Sequence, residues 1–233
     1  MTKKDVLDLL KANKNERGVE NWKRLASESG LKSFGIGLTV LRKLAKQVGK
    51  DHDLALKLWA TDIYDAKVIA LLIDEPKRMT REQIEAQVED LSGGYLAHVF
   101  SSCGATLAKT SFGRDVAEEW MTSKDPVRRR CAYGLQYEYS KSKAKSAPDD
   151  RYFLTVVDRI DKEFADQDID VQMAMGAAIM GIGMRSKPLH GPALKVARKI
   201  CPIDFDPTGK CDPFDAVKHL TSDRVKEKLK LAG

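Results

Sequence analysis

Trp59-Ala60-Thr61-Asp62-Ile63-Tyr64-Asp65-Ala66-Lys67 reads as the aromatic end of one helix, a short polar turn and the start of the next helix. The arrangement returns twice. Trp120 is followed by Met121-Thr122-Ser123-Lys124-Asp125-Pro126-Val127-Arg128, and Phe164 by Ala165-Asp166-Gln167-Asp168-Ile169-Asp170-Val171-Gln172. These aromatic residues stand 61 and 44 positions apart. Helical-repeat units run about 40–47 residues, so the second interval fits and the first is irregular. A lone helix pair cannot bury its apolar face. Stacked pairs can, and they form a curved solenoid with one concave face. An ordinary helical bundle is the alternative.

The flanking sequence agrees with an all-α chain. Val6, Leu7, Leu9 and Leu10 begin a helical periodicity; Val40, Leu41, Leu44, Ala45 and Val48 fit one face of a helix. Ile84, Val88 and Leu91 repeat it, as do Val156, Val157, Ile160 and Phe164. No sustained period-two alternation and no Asn-Gly or Asp-Gly turn occurs. Helix starts are marked too. Thr80-Arg81-Glu82-Gln83 predicts a capping box, Asp125-Pro126 an N-cap before a proline, and Asp170 a cap before Val171. Pro76 closes the helix holding Ile69, Leu71 and Leu72. The expected organisation is a single helical-repeat domain over 1–233: an N-terminal cap over 1–33, a repeat core over 34–200 and a C-terminal extension over 201–233.

Composition narrows the function classes. Of 233 residues, 42% are hydrophobic and 32% charged, which supports a core but not a membrane bundle. No apolar run approaches the ~20 residues of a bilayer span, and no secretory apolar segment is evident. Cys103, Cys131, Cys201 and Cys211 make no CxxC pair, so a reducing cytoplasm is the expected setting. The formal charge of +6 suits an anionic partner.

That charge is segregated. Val171 to Ile203 contains no acid but holds Arg185, Lys187, Lys195, Arg198 and Lys199. Lys124 to Lys145 carries seven basic residues against Asp125 and Glu138. Arg42, Lys43, Lys46 and Lys50 form a third basic group, whereas Asp158 to Asp170 has a net charge of −4. On a solenoid such segments would line one face with positive charge, as a phosphate backbone requires. Charged helices facing water are the alternative. Arg128-Arg129-Arg130 opens a helix, where cations oppose the macrodipole; phosphate binding or pairing with nearby acids would offset this.

Other motifs are weak. Asp204 to Asp215 resembles the start of a calcium loop, with aspartate at the twelfth position and Pro202 before it; a turn-rich connector reads better. Cys201, Cys211, His190 and His219 match no common zinc spacing. Gly35-Ile36-Gly37 lacks a third glycine, Gly209-Lys210 is followed by cysteine, and no G-x-S-x-G occurs. No metal or cofactor is expected.

Phe34-Gly35-Ile36-Gly37-Leu38-Thr39-Val40-Leu41-Arg42-Lys43-Leu44-Ala45-Lys46 resembles the first signature of the AlkD-type DNA alkylation repair proteins. Leu54 to Trp59, then Asp65-Ala66-Lys67, then Ala70-Leu71-Leu72 resemble the next. Ile84-Glu85 to Val88-Glu89-Asp90, Arg130 to Leu135, and Val171 to Gly183 follow in order, so the likeness runs from Phe34 to Ile200. The resemblance implies a HEAT-like superhelix that holds double-stranded DNA, alkylated or otherwise damaged, in a concave basic face. It further implies a monomeric, nucleoid-associated bacterial protein and metal-free excision of cationic bases. In that chemistry a carboxylate and aromatic faces stabilise the developing sugar cation, and an arginine holds the adjacent phosphate.

Carried onto this sequence, the phosphate-holding arginine is Arg130, with Arg128, Arg129, Arg42, Lys43, Lys46, Arg185 and Lys187 as further nucleic-acid-binding candidates. The family's tryptophan, three residues and aspartate fall on Gly94-Tyr95-Leu96-Ala97-His98. A one-residue slip offers Tyr95 as the aromatic and Val99 in the carboxylate position. The late-helix tryptophan position falls on Ala177. Tyr95 and His98 are therefore the catalytic candidates, without a carboxylate. A neutral histidine could activate water, whereas a protonated one would repel the sugar cation. A core or capping role for His98 is the alternative. The expectation is weak or absent excision of simple alkylated bases. A non-catalytic DNA-structure binder and a solenoid for an acidic peptide are the competing functions.

Overall fold

The computed structural model describes residues 1–25, 29–102, 104–144, 147–206, 209 and 211–231. Cys103, Lys145 and three residues of the calcium-like segment (Pro207, Thr208 and Lys210) lie outside the described residues. Those described are helical and connecting, with isolated bridges at Lys32–Ile63 and Ile203–Phe214 and no β-strand. No helix among them is long and apolar enough to cross a membrane. The chain divides into two compact units, Met1–Gly113 and Arg114–Gly233.

The first unit contains α1 (Lys3–Ala12), α2 (Glu16–Leu25), α3 (Leu38–Val48), α4 (His52–Trp59), α5 (Tyr64–Ile73), α6 (Arg81–Val88) and α7 (Leu96–Ser101). Its centre is α5, which buries Ala66, Val68, Ile69 and Ala70 and packs against α3, α4 and α7. Burial on every side explains why α5 has no polar stripe. The second unit contains α8 (Gly113–Trp120), α9 (Pro126–Lys141), α10 (Asp150–Glu163), α11 (Ile169–Gly183), α12 (Lys187–Ile200), α13 (Ala216–Leu220) and α14 (Asp223–Leu229). Here α9 stacks on α11 and α10 on α12, so helices two apart in the chain form layers. Gly181 allows the closest approach. A Cβ there would lie 2.4 Å from Ser140 Oγ and 2.7 Å from Tyr137 Cδ2.

The repeating junctions are where the periodicity puts them: α4 ends at Trp59, α8 at Trp120, and α10 just before Phe164. Their caps differ in detail. Asp125 accepts the Val127 N–H at 2.9 Å, with Pro126 opening α9. Thr80 accepts the Gln83 N–H at 3.2 Å, but the Gln83 amide donates to Asp74 at 2.7 Å rather than returning to Thr80. Only half of the expected capping box forms, because a buried carboxylate competes for the glutamine. The α11 N-cap is Asp168; Asp170 lies in the first turn and pairs with Arg130. Val40, expected on the apolar face of α3, is 39% exposed, while Leu41, Leu44 and Ala45 are buried. In the calcium-like segment Asp215 N-caps α13 and Asp206 accepts the Cys211 N–H.

Candidate nucleic-acid interface

A cavity in the first unit is built on a crossing of glycines. A Cβ on Gly18 would meet the Gly35 carbonyl oxygen at 2.0 Å, so α2 lies directly on the loop that precedes α3. Asp65, fully buried in the first turn of α5, fixes that loop. It accepts the Ser33 hydroxyl at 2.9 Å and the N–H groups of Phe34 and Ile36 at 2.7 and 3.1 Å. Burial pushes its carboxyl above the ordinary range, against the opposing pull of these donors.

Aromatic side chains form the walls. The rings of Trp22 and Tyr64 lie 4.3 Å apart, and the Trp22 indole N–H donates to the Leu31 carbonyl at 2.9 Å. The Tyr64 hydroxyl accepts the Tyr95 backbone N–H at 3.1 Å, and burial raises this phenol to about 12. The cavity encloses about 360 Å³ and is further lined by Asn21, Ser33, Ile36 and Leu38, with glycine at 18, 35, 37 and 94. No charged side chain is among the described lining residues. Tyr95 stands at the mouth, 58% exposed. His98, exposed on α7, meets it edge-on with ring centroids 6.3 Å apart. The surroundings of Tyr95 can therefore stack on a flat or apolar group. Among the described residues they offer a developing cation aromatic faces but no lining carboxylate.

In the same unit Arg42, Lys43 and Lys46 are all exposed on α3, between buried Leu41, Leu44 and Ala45. The remaining candidates, Arg128, Arg129, Arg130, Arg185 and Lys187, lie in the second unit, and most of them are paired. Arg128 bonds Asp125 at 2.7 Å. Arg129 donates to the Gln167 amide oxygen at 2.7 Å and to the carbonyls of Ser123 and Lys124 at 2.9 Å. Arg130 meets Asp170 at 3.0 Å, with 30% of its side chain exposed. These contacts offset the unfavourable placement of three arginines at a helix N-terminus. Exposed Lys187 lies 3.5 Å from the Lys230 carbonyl.

Arg185 differs from its expected role. Its guanidinium donates to the carbonyls of Tyr139, Ser140, Ser142 and Pro148 at 2.9–3.3 Å, approaches Asp150 at 3.4 Å and lies over the Phe153 ring. It thus satisfies the C-terminal carbonyls of α9 and is committed within the fold. Arg185→Ala is expected to lower stability by about 2–3 kcal/mol, since the carbonyls lose a charged donor. Urea denaturation would detect this, and Arg185→Lys should recover only part of it, lacking the planar fork.

Trp22, Tyr64 and Asn21 are site residues that the sequence reading misses. Their only signal is position: Trp22 is an isolated aromatic in a polar helix just before the glycine-rich loop, and Tyr64 opens the helix that carries Asp65.

No curated protein matches the chain. A solved structure matches with a TM-score of 0.80 at 20% identity, covering 98% of this chain and 96% of the other. It is described as one of a new family of proteins related to the HEAT-like repeat DNA glycosylases with affinity for branched DNA structures. At this identity the likeness concerns the fold, which is all-α and HEAT-like. The family model described as DNA alkylation repair enzyme matches residues 6–202, most of the chain. With the signatures from Phe34 to Ile200 embedded in this helical fold, the chain belongs to the DNA alkylation repair enzyme family.

Proposed function

We propose that this chain binds double-stranded DNA and favours distorted or branched DNA, and that it releases simple alkylated bases no faster than they leave spontaneously. The carrying observation is the cavity beside Tyr95, aromatic and with no carboxylate among its described lining residues. Loss of the glycosidic bond builds positive charge on the sugar, and a nearby carboxylate is the group that stabilises it. The described affinity of the structural neighbour for branched DNA supports the same choice. In the first unit exposed Arg42, Lys43 and Lys46 supply phosphate contacts; in the second unit, taken by itself, Arg130 and its neighbours do so where DNA competes with their present partners.

Fluorescence anisotropy with a fully paired duplex and a three-way junction tests this. Each neutralised phosphate contributes about 0.9 to the log–log salt slope, so α3 alone should weaken binding about 40-fold between 50 and 200 mM salt. A flat salt response would favour an acidic-peptide solenoid. The glycosylase reading keeps one specific support, exposed His98 beside Tyr95. Release from methylated duplex above the protein-free rate, abolished in His98→Ala, would replace the non-catalytic reading with a histidine-assisted one.

A further inference from the structure

We infer that the cavity bounded by Trp22, Tyr64 and Tyr95 receives one unpaired, neutral nucleobase while the attached backbone runs along α3. This rests on the proposed DNA binding and names what is recognised in distorted DNA.

The lining selects the occupant. Charged ligands would need a counter-charge, yet none of the described lining side chains is ionic. Three aromatic rings and walls of glycine backbone suit a flat group with a π face, and the roughly 360 Å³ of space admits a base. Exposed Asn21 and half-buried Ser33 put polar atoms where the edge of a base would pass. Tyr95 has the position of a stacking platform. It is 58% exposed, at the mouth, with its backbone N–H tied to the Tyr64 hydroxyl.

The α3 cations distinguish a nucleobase from another aromatic ligand. Leu38, the first residue of α3, lines the cavity. At 1.5 Å and 100° per residue, Arg42 and Lys46 stand about 6 and 12 Å further along α3, turned from Leu38 by about 40° and 80° on a line that winds slowly round the helix. Successive phosphates of an extended strand have about this spacing, so a base at the α3 N-terminus leaves its own strand over Arg42 and Lys46. Extruding a paired base costs both its pairing and its stacking, whereas an unpaired base has no pairing left to break, so the cavity favours the unpaired one.

The test uses full-length protein and duplexes carrying 2-aminopurine, either as a single-base bulge or fully paired. Anisotropy reports binding and 2-aminopurine emission reports stacking. Wild-type protein is expected to prefer the bulged probe and to quench its emission. Base–aromatic stacking is worth about 5- to 150-fold, so Tyr95→Ala should reduce the preference for the bulge by a factor in that range, and Tyr95→Phe should restore it. Exposed Tyr95 can be truncated without emptying the core, and far-UV circular dichroism checks the fold. Three results overturn the inference: unquenched emission on binding, an unchanged preference in Tyr95→Ala, or failure of Tyr95→Phe to restore it. Binding of both probes with any of these results leaves the DNA reading standing. Binding of neither probe removes the DNA reading and this inference together.

Discussion

Gly35→Ala should destabilise the first unit by more than about 4 kcal/mol, beyond the usual range for one substitution. Two independent penalties coincide there. Gly35 has φ +70°, a left-handed conformation that costs a residue with a Cβ about 1–2 kcal/mol. The new Cβ would also stand 2.3 Å from the Val19 nitrogen and 2.5 Å from the Asn15 carbonyl oxygen. Those are backbone atoms at the start of α2, so no rotamer change relieves the contact; α2 itself must lift off the loop. Gly37 is the matched control. It has φ −66° and open space where a methyl group would stand, so Gly37→Ala should change stability by less than about 1 kcal/mol. Urea denaturation separates the two. With a slope near 2 kcal/mol/M, the Gly35 variant loses about 2 M in midpoint or fails to fold. Equal midpoints would mean that the glycine crossing does not hold α2 in place.

That crossing marks the boundary of what the sequence makes legible. Helix positions follow from apolar spacing and capping residues, which are local, and the Trp59, Trp120 and Phe164 junctions fall where those local signals put them. Detail fails where a side chain has two partners to choose from. Gln83 leaves its cap for Asp74, and Asp170 leaves the N-cap position to Asp168 and pairs with Arg130. Arg185 shows the same limit at a charged residue. In an acid-free stretch it reads as one more surface cation, but its partners are carbonyls some 40 residues earlier that no local pattern reveals. The candidate site is half legible. Tyr95 and His98 follow from alignment with a family motif, whereas Trp22 and Tyr64 join them only because two glycines let α2 rest on the loop.

Asp65→Ala is expected to lower stability by about 3–5 kcal/mol and to abolish the preference for a bulged probe in whatever protein still folds. The carboxylate is fully buried, and its removal strands the N–H groups of Phe34 and Ile36 together with the Ser33 hydroxyl. Each buried donor left without a partner costs about 1–3 kcal/mol, with the hydroxyl best able to turn elsewhere. Asp65→Asn separates charge from acceptor geometry. Its amide keeps one oxygen but puts an NH₂ group where the other oxygen meets an N–H, so one backbone donor is opposed. If the paired donors dominate, Asn should lie between Ala and wild type. If the burial that raises this carboxyl dominates, neutral Asn should match or exceed wild type near pH 7. The sign of the pH dependence follows. An acid raised on folding contributes most below its unfolded value near 3.9 and less as pH rises through the folded value, so wild type should lose stability relative to Asp65→Asn across that window. The binding readout connects this to function. The donors that Asp65 holds belong to residues 33–36, where Ser33, Gly35 and Ile36 form one side of the cavity. A variant that folds but lets this loop relax should keep its salt-dependent grip on paired DNA through Arg42, Lys43 and Lys46 while losing discrimination for an unpaired base. Retained discrimination in Asp65→Ala would show that the wall does not depend on this carboxylate.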